Sequence, residues 1–259
     1  MENTPLPAKD MRKPQYIKKS SLKNIGLKLY SYWILKDGYI SLPSDTAVHI
    51  AYIIEGYGIS EIAKVKAGDV VAFGLNRAPV RFSVHNMRCF ILDMDFSLFY
   101  SITGLIPSIS NSPLFLDKAN LFFQMGQRLF PHPVKYWIHN IEIYIPRMLE
   151  KSNYPINDTL NRVIAATREL EWEDDFNTIA NGLNVSYRQL QRDFNSILGL
   201  TPKEYRSILR FYAAAHSLKH EKIVDIARIS GFFDQSHMTK EIKKRSGWTP
   251  KELSGHYYF

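Results

Sequence analysis

The chain has 259 residues, 45% of them hydrophobic and 22% charged, with a single cysteine and a formal net charge of +8. That length is comfortable for two domains, and the composition is that of an ordinary globular protein rather than a disordered or fibrous one. One thiol, Cys89, excludes an internal disulfide framework. No apolar run reaches the roughly 20 residues of a membrane-spanning helix, and no apolar leader follows the start. A cytoplasmic, nucleoid-associated protein with no membrane partner is expected. The charge is unevenly placed. Residues 1–30 carry seven Lys/Arg against two Asp/Glu and residues 176–259 carry thirteen against seven, whereas 31–175 carry thirteen against sixteen. Basic ends around a slightly acidic body favour an anionic partner.

In chain order, residues 1–24 read as a basic arm, with Pro5, Pro7 and Pro14 among lysines. Residues 25–100 read mainly as strands. Val48–Ile54 is rich in β-branched residues and runs into the turn Glu55-Gly56-Tyr57-Gly58. Val70–Phe73 follows Gly68-Asp69, Val80–Val84 alternates, and Cys89–Met94 is a further apolar run. Short runs with regular turn signals predict a sandwich or a barrel. From about Phe96 the period becomes helical, with runs over Leu114–Leu129 and Val134–Leu149. Ser152–Asp158 is a polar, proline-containing joint. The expected organisation is α+β: a β-rich sensor or dimerisation domain over 25–152 with helices at its end, then an all-α domain over 157–256.

The all-α part contains a duplication. Gly199-Leu-Thr-Pro-Lys-Glu204 recurs as Gly247-Trp-Thr-Pro-Lys-Glu252, 48 residues on, and Ile179-Ala180 recurs as Ile226-Ala227, 47 residues on. The second unit therefore has one extra residue in its turn. Each unit has helix-turn-helix grammar. In the first, Ser186 and Gln189 form an S-x-x-Q capping box. Leu190, Phe194, Ile197 and Leu198 then make one apolar stripe, which turns Arg188, Gln191, Arg192 and Asn195 outward. In the second, Asp234 is the N-cap, Met238 and Ile242 form the stripe, and Gln235, Ser236, Thr239 and Lys240 face outward. Lys243, Lys244 and Arg245 follow, placed for phosphate. A helix capped by Thr201, running to about Lys219, joins the units. At about 1.5 Å per residue it spans roughly 28 Å, close to the ~34 Å repeat of major grooves on one face of DNA. Arg suits guanine, Gln suits adenine, and Lys at a helix end neutralises phosphate.

These residues resemble the AraC/XylS family of bacterial transcription regulators. The resemblance rests on Ile179-Ala180, Leu190-Gln-Arg-Asp-Phe194, Gly199-Leu-Thr-Pro202 with Tyr205-Arg206, and Gly231-Phe232 through Gly247-Trp-Thr-Pro250. Ile242 stands where the family usually has Phe. The resemblance implies binding to double-stranded promoter DNA, commonly with activation through RNA polymerase. It places base reading on Arg188, Gln191 and Arg192, with Gln235, Ser236, Thr239 and Lys240 as the second set. In relatives the amino-terminal half is often a cupin-like effector and dimerisation domain. Ala67-Gly68-Asp69-Val70-Val71 is similar to one cupin turn and strand.

Other chemistry weighs less. His49, His85 and Cys89 match no zinc spacing, and His49 on an apolar strand reads as a core histidine. Asp93 and Asp95, two apart on a strand, share a face and could form an acid pair. No nucleophile elbow, P-loop or dinucleotide fingerprint occurs. No catalytic residue, metal or cofactor is therefore expected. Tyr32, Trp33, Tyr52 and Phe73 are candidates to line an effector pocket, and the helices over Leu121–Met148 are a candidate homodimer face. Two rivals stand beside the regulator: a cupin-type metal enzyme with a DNA-binding tail, and a protein-interaction module.

Overall fold

A computed structural model describes residues 16–106, 112–152, 154–171, 174–218 and 220–254. The first fifteen residues of the expected arm lie outside them, as do Lys219 and the chain beyond residue 254. The remainder of that arm is part of the fold: β1 (Tyr16–Lys19) pairs antiparallel with β2 (Leu27–Leu35).

Six more strands complete one antiparallel sheet: β3 (Gly38–Leu42), β4 (Val48–Ile59), β5 (Lys64–Lys66), β6 (Val70–Gly74), β7 (Val80–Met94) and β8 (Leu114–Phe115). The order is β1-β2-β7-β4-β6-β8, with β3 on β7 and β5 on β4. The hub is β7. Its first half pairs with β3 through Val80–Val84 and its second half with β2 through Met87–Met94. Between the halves Asn86 has φ 42°, and Gly56 opposite has φ 70°. A Cβ at Gly56 would lie 2.3 Å from the His85 carbonyl oxygen, so only glycine fits this bulge. The bulge also flips side-chain parity. Val80, Phe82 and Val84 face inward before it, and Met87 and Cys89 after it.

The two sheet faces have different neighbours. One face holds Trp33, Leu35, Ala51, Ile53, Val65 and Phe82. The opposite face, with Tyr30, Ile50, Tyr52, Phe90 and Leu92, is covered by α1 (Phe96–Thr103), α2 (Leu121–Leu129) and α3 (Trp137–Lys151) through Phe99, Phe122, Trp137 and Ile141. The helical run expected from Leu114 starts later. Leu114 and Phe115 pair with β6, and α2 begins where the Asn120 side chain accepts the Phe122 N–H at 2.9 Å.

The seven remaining helices are α4 (Asp158–Glu169), α5 (Phe176–Gly182), α6 (Tyr187–Leu198), α7 (Pro202–Ser217), α8 (Ile223–Ile229), α9 (Gln235–Ser246) and α10 (Pro250–Leu253). The outer-face core continues into this part through Val163, Phe194 and Ile208. The last helices have a core of their own around Phe211, Ile226, Met238, Ile242 and Leu253.

Candidate nucleic-acid interface

The two expected units are present, and α7 joins them. In the first, α5 ends in a turn where Asn184 adopts a left-handed φ of 55°. Ser186 then caps α6, its hydroxyl accepting the Gln189 N–H at 3.2 Å. Only this half of the expected capping box forms. The Gln189 amide instead donates to Asp193 at 2.7 Å and accepts from Arg192 at 2.6 Å. Asp193 is buried, and its other oxygen accepts from Arg162 of α4 at 2.7 Å. A buried carboxylate needs such partners, and the chain Arg162–Asp193–Gln189–Arg192 holds the last of these side chains against α6. Arg188, Arg192 and Asn195 are exposed and Gln191 is half-buried, while Leu190, Phe194 and Leu198 are buried.

In the second unit Gly231, at φ 64°, takes the left-handed turn position. Asp234 caps α9 by accepting the His237 N–H at 2.6 Å. Gln235, Ser236, Lys240, Lys243 and Lys244 are exposed and Thr239 is half-buried. The two lysines lie in the last turn, where the helix dipole favours cations. Arg245 departs from the expected phosphate role. It is 4% exposed, on the stripe of Met238 and Ile242, and its guanidinium donates to Glu241 at 2.9 Å, Ser207 at 3.2 Å and the Arg77 carbonyl at 3.1 Å. The joining helix has 16 residues, Pro202–Ser217, with both halves of a capping box at Thr201 and Glu204. Its length is about 24 Å, and each flanking helix is about 10 Å across. The second head meets this helix in its second turn, where the Ser207 hydroxyl donates to Glu241 of α9.

Both heads also touch the sheet. Arg77, between β6 and β7, donates to the Gly199 carbonyl that ends α6, pairs with Glu204 of α7 at 3.5 Å, and offers its own carbonyl to Arg245 of α9. Ser44 N–H donates to the Arg245 carbonyl at 2.8 Å, and the Ser41 hydroxyl to the Ser246 carbonyl at 3.0 Å. Nearby, the Tyr212 hydroxyl of α7 donates to Asp45 at 2.6 Å. Asp45 also holds His49 at 2.8 Å, and Asp93 holds the other ring nitrogen at 2.5 Å. His49 is thus a clamped cation rather than a core histidine. Burial opposes its charge, but the two carboxylates outweigh burial and push its pKa up to about 10. Asp93 and Asp95 do not pair with each other: strand β7 ends at Met94, and Asp95 binds Lys28 at 2.7 Å.

The four aromatic residues expected in one pocket are divided. Trp33 and Phe73 line a cavity of about 50 Å³ with Leu35, Ile53, Phe82 and Cys89; its lining is entirely apolar. Strand alternation sends Tyr32 to the opposite face from Trp33. Tyr52 is fully buried on that opposite face, edge-on to Trp137 at 6.1 Å. Phe73 also stacks on His49 at 5.5 Å, so the cavity wall touches the clamp. Among the described residues no three His, Cys, Asp or Glu side chains gather as metal ligands. Sequence reasoning missed Asp193, Arg77 and the Asp45–His49–Asp93–Tyr212 cluster. The decisive partners are distant: Arg162 is 31 residues from Asp193, Gly199 is 122 from Arg77 and Tyr212 is 167 from Asp45, although Asp45 and His49 are only four apart.

Known proteins fit this arrangement. Residues 179–255 match a family described as "Helix-turn-helix domain". The chain is 36% identical over 87 residues to the HTH-type transcriptional activator RhaS of Enterobacter sp. (strain 638), and 34% identical over 87 residues to RhaS of Citrobacter koseri. Each match covers 33% of this chain and 30% of the relative, so the chain spans about 30% of the length of the curated relatives it matches. Over most of its length the fold is similar to ToxT of Vibrio cholerae, with a TM-score of 0.56 at 12% identity, covering 87% of this chain and 97% of that one. The unsaturated fatty acid bound form of ToxT gives 0.52 at 16%, covering 94% and 97%. Residues 179–255 are thus similar to a helix-turn-helix domain family and to a stretch of the RhaS activators, and they stand behind a β-rich body whose fold is similar to that of ToxT.

Proposed function

We propose that this chain is a sequence-specific regulator of transcription that reads two adjacent major-groove segments of promoter DNA. The observation that carries the reading is the pair of capped helices, α6 and α9, set on one rod with Arg188, Gln191 and Arg192 outward on one and Gln235, Ser236, Thr239 and Lys240 on the other. The name of the RhaS relatives supports an activating sense, with RNA polymerase as the downstream partner. The apolar cavity supports control by a small molecule with a hydrocarbon body, and ToxT has been crystallised with an unsaturated fatty acid. Phe73, His49, Asp45 and Tyr212 form a contiguous path from that cavity to α7. The test is selection of genomic fragments by the purified protein at about 150 mM salt, followed by footprinting. The expected result is a recurrent site with two half-motifs about one helical turn apart and an affinity that falls steeply with salt. Recovery of random fragments, or binding indifferent to salt, overturns the reading.

A further inference from the structure

The second unit differs from the first by one residue, and the structure shows which. The Val185 N–H donates to the Ala180 carbonyl at 3.0 Å, and the Phe232 N–H donates to the Ala227 carbonyl at 2.9 Å, a match 47 residues apart. Asn184 and Gly231, the left-handed turn residues, are also 47 apart. The N-caps Ser186 and Asp234 are 48 apart. Phe232 therefore replaces Val185, and Phe233 is the insertion.

Phe233 is 92% exposed. A lone exposed apolar side chain is unremarkable on a protein surface. The position is what gives this one meaning. An apolar residue just before an N-cap ordinarily packs on the fourth helical residue and fixes the entry of the chain. Here that residue is Met238, already fully buried in the core that Phe232 closes, and Phe233 covers nothing. The Phe233 N–H donates to the His237 ring at 3.4 Å, which ties the base of the side chain to the first turn of α9. Phe233 directly precedes the N-cap of α9, two and three residues before exposed Gln235 and Ser236, at the end of the helix that the proposed function sets against base edges. A phosphate is a poor partner there: the ring offers no donor, and the Asp234 carboxylate repels anions. The apolar feature of a major-groove edge is the thymine C5-methyl group.

We propose that Phe233 is a specificity-determining residue that recognises a thymine methyl group in the half-site read by α9. The assignment rests on the chain being a sequence-specific DNA reader. The test uses the full chain and the site it selects, with each thymine replaced in turn by deoxyuridine, which lacks only the methyl group. Binding is measured for the native chain, Phe233→Ala and Phe233→Leu. The exposed ring makes all three folded, as equal melting temperatures will verify. Burial of one methyl group corresponds to about a fourfold change in affinity. The native chain should lose about that factor at one thymine of the α9 half-site. Phe233→Ala should bind both bases there equally, and Phe233→Leu should restore part of the difference. Indifference of the native chain at every thymine of that half-site, or full discrimination kept by Phe233→Ala, overturns the assignment while the DNA reader stands; this is also the result if the ring meets a protein instead. A chain that selects no site overturns both.

Discussion

The two heads share one plan and differ in how they are supported. The first is fused to the large core beneath the sheet, and its Arg192 is held by a relay that ends on buried Asp193. The second stands on a small core of its own and carries Lys243 and Lys244, with Phe233 at its entrance. Duplication has supplied one backbone grammar twice, and the surroundings have given it two characters. A recognition helix with pre-set side chains loses less freedom on binding, so under the proposed function the first head is the better prepared for base discrimination. The second offers two exposed lysines and the exposed Phe233.

The largest effects should come from the cores. Phe194→Ala should cost about 3–5 kcal/mol and Met238→Ala about 2–5 kcal/mol. Hydrogen exchange should show the first change lowering protection across α4–α7 and the sheet face beneath, and the second only across α8–α10. A Met238 variant that also loosens the sheet would break the contrast. The contact between sheet and α7 should depend on pH. His49 has its pKa raised from 6.5 to about 10 in the folded chain. Its clamp therefore contributes fully below about pH 6.5 and is lost as pH rises toward 10, a change on the order of a few kcal/mol. Melting temperature should fall across that window, and the slope should vanish in His49→Gln; an unchanged slope removes His49 as its source. Arg192→Ala should weaken the selected site by about 1–3 kcal/mol while leaving random DNA unaffected. Equal losses on both would make Arg192 a phosphate contact. The smallest effect belongs to Lys243→Ala and Lys244→Ala. Each should reduce the slope of log affinity against log salt by about 0.9, uniformly across sequences, and titrations at several salt concentrations will read it.

The helix-turn-helix part was legible because its signals are local. Ser186, Asp234 and Thr201 cap where they should, and Leu190, Phe194, Met238 and Ile242 bury at helical spacing. Arg245 was misread because its charge suggested an outward face, although the spacing that buries Met238 and Ile242 carries it inward too. The pocket was half legible. Trp33 and Phe73 line it, but Tyr32 and Tyr52 point the other way, since adjacent strand residues face opposite sides. The parity flip at Asn86 depends on a backbone angle that no composition rule supplies. The Asp45–His49–Asp93–Tyr212 cluster joins three separate elements, and only the folded chain brings them together.

Arg77 touches the end of α6 with its side chain and holds α9 through its carbonyl. Each base pair adds about 3.4 Å of rise and about a tenth of a turn. Heads both held by one residue of the β6–β7 loop would thus meet their half-sites at a single phase. Under the proposed function, the permissible spacing between half-sites depends on the β-rich body as well as on α7. Drift at Arg77 would then reassign which promoters qualify while leaving every base-contacting side chain as it was.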